Sequence, residues 1–288
     1  MLKPPVCLRT RSDLRDHLRD RGKIGFVPTM GALHDGHLSL VEKAREALGQ
    51  DGCVVVSIFV NPKQFAPGED LDTYPRTEAA DIAKLSAMGV DVVYLPGEQE
   101  LYPEGSATDV RVEGLSDLLD GIYRPHFFYG VTTVVARLFL HVQPHIAVFG
   151  EKDYQQLQII RRMVADLGFG IEIIGGKTKR DADGLAQSSR NAYLSDTERR
   201  VASAISAALH RAQRRIGLGQ PIAVALEEAR AHILGAGFTK LDYVCAVDPQ
   251  TLQDLPGQPA VPGIPGRLLA AAWMGQTRLI DNLGFIRS

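Results

Sequence analysis

The stretch from Lys23 to Val60, KIGFVPTMGALHDGHLSLVEKAREALGQDGCVVVSIFV, decides the fold. Lys23 to Pro28 is short, apolar and closed by proline, the signature of a buried strand. From Gly36 to Leu48 the apolar residues Leu38, Leu40, Val41, Ala44 and Leu48 recur near helical spacing. Cys53 to Val60 is a second apolar run of β-branched character. Strand, helix, strand in that order is one β-α-β unit.

The pattern continues outward on both sides. Upstream, Thr10 and Asp13 have capping-box spacing and predict a helix from about Thr10. Downstream, Thr77 to Met88 reads as helix before a strand at Val90 to Leu95, and Tyr129 to His141 as helix before a strand at Ile146 to Phe149. Asp153 to Leu167 then reads as helix before a strand at Ile171 to Ile174. Strands that are apolar throughout and alternate with helices imply a parallel sheet covered on both faces. Beyond about Thr178 the pattern changes. Ser195 and Glu198 cap a long predicted helix to about Ile216, and a second helix covers Ile222 to Leu234. Strand-like runs follow at Leu241 to Val247, Leu268 to Trp273 and Leu279 to Ile286, with the loop LPGQPAVPGIPGR among them. The expected architecture is α/β: a Rossmann-like parallel sheet in residues 1–178 and a smaller α+β domain in residues 179–288.

Composition excludes several classes of function. The 288 residues are 45% hydrophobic and 23% charged, as in an ordinary folded domain. Lysine and arginine number 32 against 34 acidic residues, so no whole-molecule field attracts nucleic acid or an anionic membrane. Cys7, Cys53 and Cys245 are scattered and form no CxxC pair, which suggests neither a disulfide framework nor a cysteine zinc site. No apolar run approaches the ~20 residues that span a bilayer, and the N-terminal residues show no apolar signal-peptide core. A cytoplasmic protein is expected.

Four segments carry candidate chemistry. PTMGALHDGH, Pro28 to His37, runs from a strand end into a helix start, where backbone N–H groups and the helix dipole favour phosphate. Gly31 and Gly36 allow close backbone approach, and His34 and His37 can each donate to a phosphate oxygen. For either histidine alone a cap or core position is the commoner role; the pair with two glycines shifts the balance. Zinc is disfavoured because no HExxH occurs. FVNPKQF places Asn61 and Gln64 beyond the second strand, and FGEKDYQQL places Lys152, Asp153 and Gln156 beyond another. AQSSRN, Ala186 to Asn191, offers Ser188, Ser189 and Arg190 as donors to a triphosphate, while GxxxxGK[ST] is absent. Each could be an ordinary cap or polar turn taken singly. Three at strand carboxyl ends and a fourth at the domain junction are expected to serve one cleft.

Taken together, PTMGALHDGHLSLV, SIFVNPKQF, EDLDTYPRT, FGEKDYQQL and DGLAQSSRN resemble the pantothenate synthetase (pantoate–beta-alanine ligase) family, in collinear order from about Ile24 to Leu194. HxGH alone would indicate only the nucleotidyltransferase superfamily. The resemblance implies an ATP domain, a C-terminal lid, a homodimer, and magnesium-dependent condensation of (R)-pantoate with beta-alanine through a pantoyl adenylate. It implies an ATP site of Met30, Gly31, Ala32, Leu33, His34, Asp35, Gly36 and His37, with Gly150, Glu151, Lys152 and Asp153. Gln187, Ser188, Ser189, Arg190 and the backbone near Lys179 complete it. His34, His37 and Lys152 would act on the triphosphate. Gln64 and Gln156 would hold pantoate, with Asn61 and Tyr74 lining the same region. Asp70 and Asp72 are weaker candidates for the neighbourhood of Mg²⁺, which is held mostly by water and phosphate. The chain departs from the family at Gln187, usually Met or Leu, at Lys179, usually apolar, and at Phe127 and Phe128, where His126 lies one place from the usual histidine. Another HxGH nucleotidyltransferase and a non-catalytic nucleotide-binding module are the rival readings.

Overall fold

Two parallel ladders fix the centre of the sheet. Ile24–Thr29 pairs with Cys53–Ile58 along its whole length, but with Ile146–Gly150 only at Gly25↔Ile146 and Phe26↔Ala147. Pro28 lies beyond that second ladder, where its missing N–H costs no hydrogen bond. In this computed structural model, which describes residues 3–49, 51–66 and 68–286, the chain runs β1 (Val6–Leu8), α1 (Arg11–Leu18), β2 (Ile24–Thr29), α2 (Asp35–Leu48), β3 (Cys53–Ile58). It continues with α3 (Glu78–Ala87), β4 (Val92–Tyr94), α4 (Glu98–Leu101), α5 (Asp120–Tyr123), α6 (Phe127–Val142), β5 (Ile146–Gly150), α7 (Tyr154–Leu167) and β6 (Glu172–Gly176). The C-terminal elements are α8 (Asp196–Ala202), α9 (Ala204–Gly217), α10 (Ile222–Gly235), β7 (Lys240–Val247), β8 (Pro265–Met274) and β9 (Thr277–Ile286).

The chain divides into two compact units. The first comprises Met1–Asp117, Arg124–Glu151 and Gln156–Lys177. Its sheet is parallel in the order β1-β4-β3-β2-β5-β6. Strand order therefore reverses between β2 and β5, the place where open α/β sheets bind ligands beyond their carboxyl ends. Alternate side chains reach two cores. Phe26, Val55 and Tyr94 pack with Leu14 of α1, Val131 and Phe139 of α6, and Ile160 and Met163 of α7. Val27, Val54, Val56 and Val93 pack with Leu40, Val41 and Ala44 of α2 and Leu85 of α3. The expected parallel sheet, covered on both faces, is thus present. The pattern missed β1, because VCL between Pro5 and Arg9 is too short to show a period. Short edge strands of this kind leave little unpaired backbone.

The second unit comprises Leu118–Tyr123, Lys152–Gln155 and Thr178–Ser288. Its antiparallel sheet β7-β8-β9 packs through Val244, Leu268, Ala270 and Leu279 on Leu209, Ile216, Leu226 and Ile233 of α9 and α10. The single long helix expected from Ser195 to Ile216 is two helices. Ser195 and Glu198 do form the capping box of α8, but Ser203 ends it with ψ −10° and starts α9. Serine competes for backbone hydrogen bonds and serves a junction better than a helix interior. Two short segments from earlier in the chain, Leu118–Tyr123 and Lys152–Gln155, are tied into this unit. Gln155 accepts from the Asp120 N–H at 3.0 Å and donates to the Leu118 carbonyl at 2.8 Å. Arg278 bridges Asp120 at 2.6 Å and Asp242 at 2.7 Å, while the Tyr243 hydroxyl donates to Asp120 at 2.8 Å.

Candidate active site

The loop between β2 and α2 is shaped by its backbone. Gly31 (φ 86°) and Ala32 (φ 50°) both take left-handed conformations, free for glycine but costing alanine on the order of 1 kcal/mol. A side chain at Gly31 would also meet Ile58 Cγ2 at 3.1 Å and Asp81 Oδ2 at 3.2 Å. The turn is held by Asp81 of α3, fully buried, whose carboxylate accepts from the Ala32 and Leu33 N–H groups at 2.9 Å each. Thr77 donates to the same carboxylate at 3.0 Å, and Lys84 donates to the Leu33 carbonyl. Leu33 points into the core, so only its backbone faces the loop.

His34 caps α2. Its Nδ1 accepts from the Gly36 N–H at 3.1 Å, and His37 Nδ1 accepts from the His34 N–H at 3.4 Å. Accepting at Nδ1 assigns the ring proton of each neutral imidazole to Nε2. The ring centroids lie 4.1 Å apart, giving two donors beside a helix N-terminus. Asp35 is exposed at the first position of that helix. The cap expected for a single histidine and the paired arrangement are therefore both present.

Beyond β3, Asn61 is buried and its hydrogen bonds are directed inward. Its amide donates to Gln64 Oε1 at 3.0 Å and to the Gly130 carbonyl at 3.1 Å, and its oxygen accepts from the Tyr102 hydroxyl at 2.8 Å. Burial pushes the Tyr102 phenol well up, keeping it a donor. Gly130 allows α6 to press on this turn, since a Cβ there would overlap the Lys63 carbonyl. Arg124 clamps Glu69 at 2.8 and 2.7 Å and donates to the Gln64 carbonyl at 3.3 Å. Tyr74 is buried against Phe65, ring centroids 5.8 Å apart, next to Gln64. Phe127 packs under the Arg124 guanidinium at 3.9 Å and beside Phe128, whereas His126 is exposed at the start of α6. Gly150 ends β5, Glu151 begins the 3₁₀ turn that follows, and partly buried Gln156 lies in the first turn of α7. Met30–His37, Asn61 with Gln64, and Gly150 with Gln156 thus follow three adjacent strands, β2, β3 and β5.

Apart from Asp70 and Asp72, the remaining candidates belong to the second unit. Lys152 is 20% exposed and lies 3.9 Å from the Asp153 carboxylate. Lys179 is exposed, and its carbonyl accepts from the Gln187 N–H at 2.9 Å, closing a hairpin that leads into Ser188, Ser189 and Arg190. Ser188 accepts from the Arg190 N–H at 3.3 Å and starts a short 3₁₀ turn. Gln187 donates to Asp181 at 3.1 Å. Asp70 is partly buried and Asp72 exposed; among the described residues no three His, Cys, Asp or Glu side chains gather as a metal site. Sequence reading did not single out Asp81, Arg124, Glu69 or Tyr102. For Asp81 a signal existed: it stands four residues before Leu85 on the buried stripe of α3, where a charge needs a partner.

Comparison with known proteins shows the chain's family and fold. The family model for pantoate-beta-alanine ligase matches residues 6–284. A pantothenate synthetase of Hyphomonas neptunium is 65% identical over 289 residues, covering 99% of this chain and 98% of its own. The crystal structure of pantothenate synthetase from Thermus thermophilus superposes with a TM-score of 0.91 at 48% identity, over 96% of this chain and 98% of that one. A pantoate-beta-alanine ligase from Francisella tularensis, complexed with beta-gamma ATP and beta-alanine, superposes with a TM-score of 0.80 at 35% identity, over 97% of each chain. Matches of this extent and identity, on a fold whose switch point carries the histidine loop, show that the chain belongs to the pantoate-beta-alanine ligase family.

Proposed function

We propose that this ligase, which condenses (R)-pantoate with beta-alanine using ATP, works through a pantoyl adenylate. In the first half-reaction a pantoate carboxylate oxygen attacks the α-phosphorus, the bond to the bridging oxygen breaks, and pyrophosphate leaves. In the second the neutral beta-alanine amine attacks the acyl carbon, the bond to AMP breaks, and the amine proton passes to solvent. Neither step needs a protein nucleophile. The first asks for positioning and for charge stabilisation on phosphate oxygens. The observation that carries the reading is the histidine pair, whose Nδ1 atoms are both occupied by backbone N–H groups, so that Nε2 donates.

His34, His37 and Lys152 act on the triphosphate, with Met30, Gly31, Ala32, Leu33, Asp35 and Gly36 supplying backbone at the helix start. Gly150, Glu151, Asp153, Lys179, Gln187, Ser188, Ser189 and Arg190 complete the ATP set. Gln64 and Gln156 hold pantoate. Asn61 works from beneath Gln64, by the hydrogen bond between their side chains, and Tyr74 lines the same region. Mg²⁺ enters as the counter-ion of ATP, since the described residues offer no carboxylate cage, and no step is assigned to it. In this reading residues 1–178 bind ATP and pantoate, and residues 179–288 form a smaller lid that keeps water from the acyl adenylate. A cytoplasmic homodimer is part of the proposal. All three cysteines are free thiols, as a reducing compartment would keep them, and none of the described helices is long and apolar enough to cross a membrane. Sedimentation tests the dimer.

The test of the reaction is pyrophosphate and AMP release from ATP and Mg²⁺, with pantoate alone and then with beta-alanine added. Pyrophosphate limited to about one equivalent without beta-alanine, and turnover to AMP and pantothenate with it, is the expected result. Folded protein that leaves ATP unchanged under both conditions would overturn the reading.

A further inference from the structure

Strand β9 carries a feature that its pattern does not require. Successive side chains of a strand face opposite sides. Leu279, Leu283 and Phe285 face the apolar core of the second unit, and Asp281 interrupts that series with a side chain 0% exposed. Its neighbour Asn282, also buried, faces the other side. Each has a definite set of partners.

Asp281 takes Arg180 in a two-pronged pair, at 2.7 and 2.8 Å. The same guanidinium donates to the Gly184 carbonyl at 3.0 Å and to the Ser206 hydroxyl at 3.1 Å. Arg180 bridges to Ala186 across the hairpin whose Gln187 N–H meets the Lys179 carbonyl, so Asp281 grips the base of the segment leading into Ser188, Ser189 and Arg190. Asn282 donates from Nδ2 to the carbonyl of Lys152 at 2.8 Å. Its Oδ1 accepts from Arg267 Nε at 2.8 Å, and the Arg267 guanidinium lies 3.9 Å over the Tyr154 ring, two residues beyond Lys152. The Asn282 N–H closes the set on Asp281 Oδ1 at 2.7 Å.

We propose that Asp281 and Asn282 are positioning residues for the ligation, two adjacent side chains on opposite faces of one strand. Asp281 fixes the hairpin before Ser188–Arg190, and Asn282 fixes the backbone of Lys152. Two cation-bearing segments far apart in sequence are thereby held in one register. This rests on the assignment of Lys152 and Ser188–Arg190 to ATP. Cations that must meet one triphosphate in a fixed geometry lose most of their value when displaced by an ångström, a loss of about 10²-fold in rate.

The test uses the full chain with Asn282→Asp, which keeps the size of the side chain and its acceptor for Arg267 but removes the donor to Lys152. Expected is a fall in kcat for pantoate-dependent pyrophosphate release of roughly 30-fold or more, with KM for pantoate within about 3-fold. In a Lys152→Ala background the same change should cost less than about 2-fold, since residues acting through one group are not additive. A readout independent of turnover is acylation of the Lys152 amine by an N-hydroxysuccinimide ester, followed by mass spectrometry. ATP should protect Lys152 in the parent and much less in Asn282→Asp. An unchanged kcat, equal losses in both backgrounds, or undiminished protection would overturn the proposal. If Asn282→Asp does not fold, Arg267→Met, which removes the guanidinium donor to Asn282 Oδ1, is read by the same criteria. If the parent releases no pyrophosphate, the functional reading fails, while Lys152 protection still decides the positioning role.

Discussion

In the first unit the buried carboxylate of Asp81 is met by two backbone N–H groups and a hydroxyl, whereas in the second the carboxylates of Asp120, Asp242 and Asp281 are met by guanidinium groups. The two solutions differ in what they depend on. An amide-bound carboxylate fixes the course of a loop, and its backbone partners survive truncation of the side chains that carry them. A carboxylate bound to arginine joins distant segments, and one substitution leaves it buried without its counter-charge. The first device shapes the histidine loop; the second assembles a sheet and the segments docked on it.

The sharpest way to break this contrast is Arg278→Ala. It removes the guanidinium shared by Asp120 and Asp242, whose side chains are 10% and 1% exposed, leaving Asp120 with the Tyr243 hydroxyl and Asp242 with Lys240 and Trp273, and should cost ~3–5 kcal/mol in urea unfolding. His37→Ala should leave folding intact and lower pantoate-dependent pyrophosphate release by roughly 10²–10³-fold, as for loss of one preorganised donor. A mutant with near-normal release would remove His37 from the site. Acid should separate the units. His141 in the first unit, hydrogen-bonded to the Tyr94 hydroxyl at 2.9 Å, is driven by burial down to about 4, with Arg11 adding to the effect. Its unfolded form takes up a proton near pH 6.5 and its folded form does not. Stability therefore falls as pH drops from about 6.5 to about 4, by a total of about 3 kcal/mol. Asp242 loses its contribution in the same direction, but only at lower pH. Burial raises it, but hydrogen bonds from Arg278, Lys240 and Trp273 outweigh this and hold it below its ordinary value. Its contribution survives until more acid conditions, so hydrogen exchange at pH 4.5 should rise first in peptides of the first unit. His141→Asn should flatten that limb.

Asp81→Ala sharpens the comparison from the other side. It leaves the Ala32 and Leu33 N–H groups without their acceptor, at a cost of about 2–3 kcal/mol, and should lower activity by releasing the loop. The smallest effect expected is Gln64→Ala, with KM for pantoate raised about tenfold on loss of one hydrogen-bonded contact, while ATP binding is retained.

Much of this was legible in the chain, for physical reasons. Parallel strands buried on both faces read as unbroken apolar runs, so β2, β3 and β5 stand out, and glycines with histidines after a strand mark a phosphate loop. What could not be read is long-range pairing. The acidic residues Asp120 and Asp281 look like any surface charge until their partners are known, and Arg278 meets Asp120 across a separation of 158 residues. The Ser203 break was hidden because Ala202, at the end of α8, continues the helical spacing of Ile205, Leu209 and Ile216 in α9.

The composition of the second unit also dictates an order of events during synthesis. Leu118–Tyr123 and Lys152–Gln155 leave the ribosome early, yet Asp242, Arg278 and Asn282, which hold them, come last. The nascent chain must carry Asp120 and the Lys152 turn undocked while its first half folds. A truncation shortly before β9 would permanently deprive Asp120 of Arg278 and the Lys152 turn of Asn282. A fragment starting at residue 179 would lack them altogether, so cutting the chain there would not yield a self-sufficient C-terminal piece.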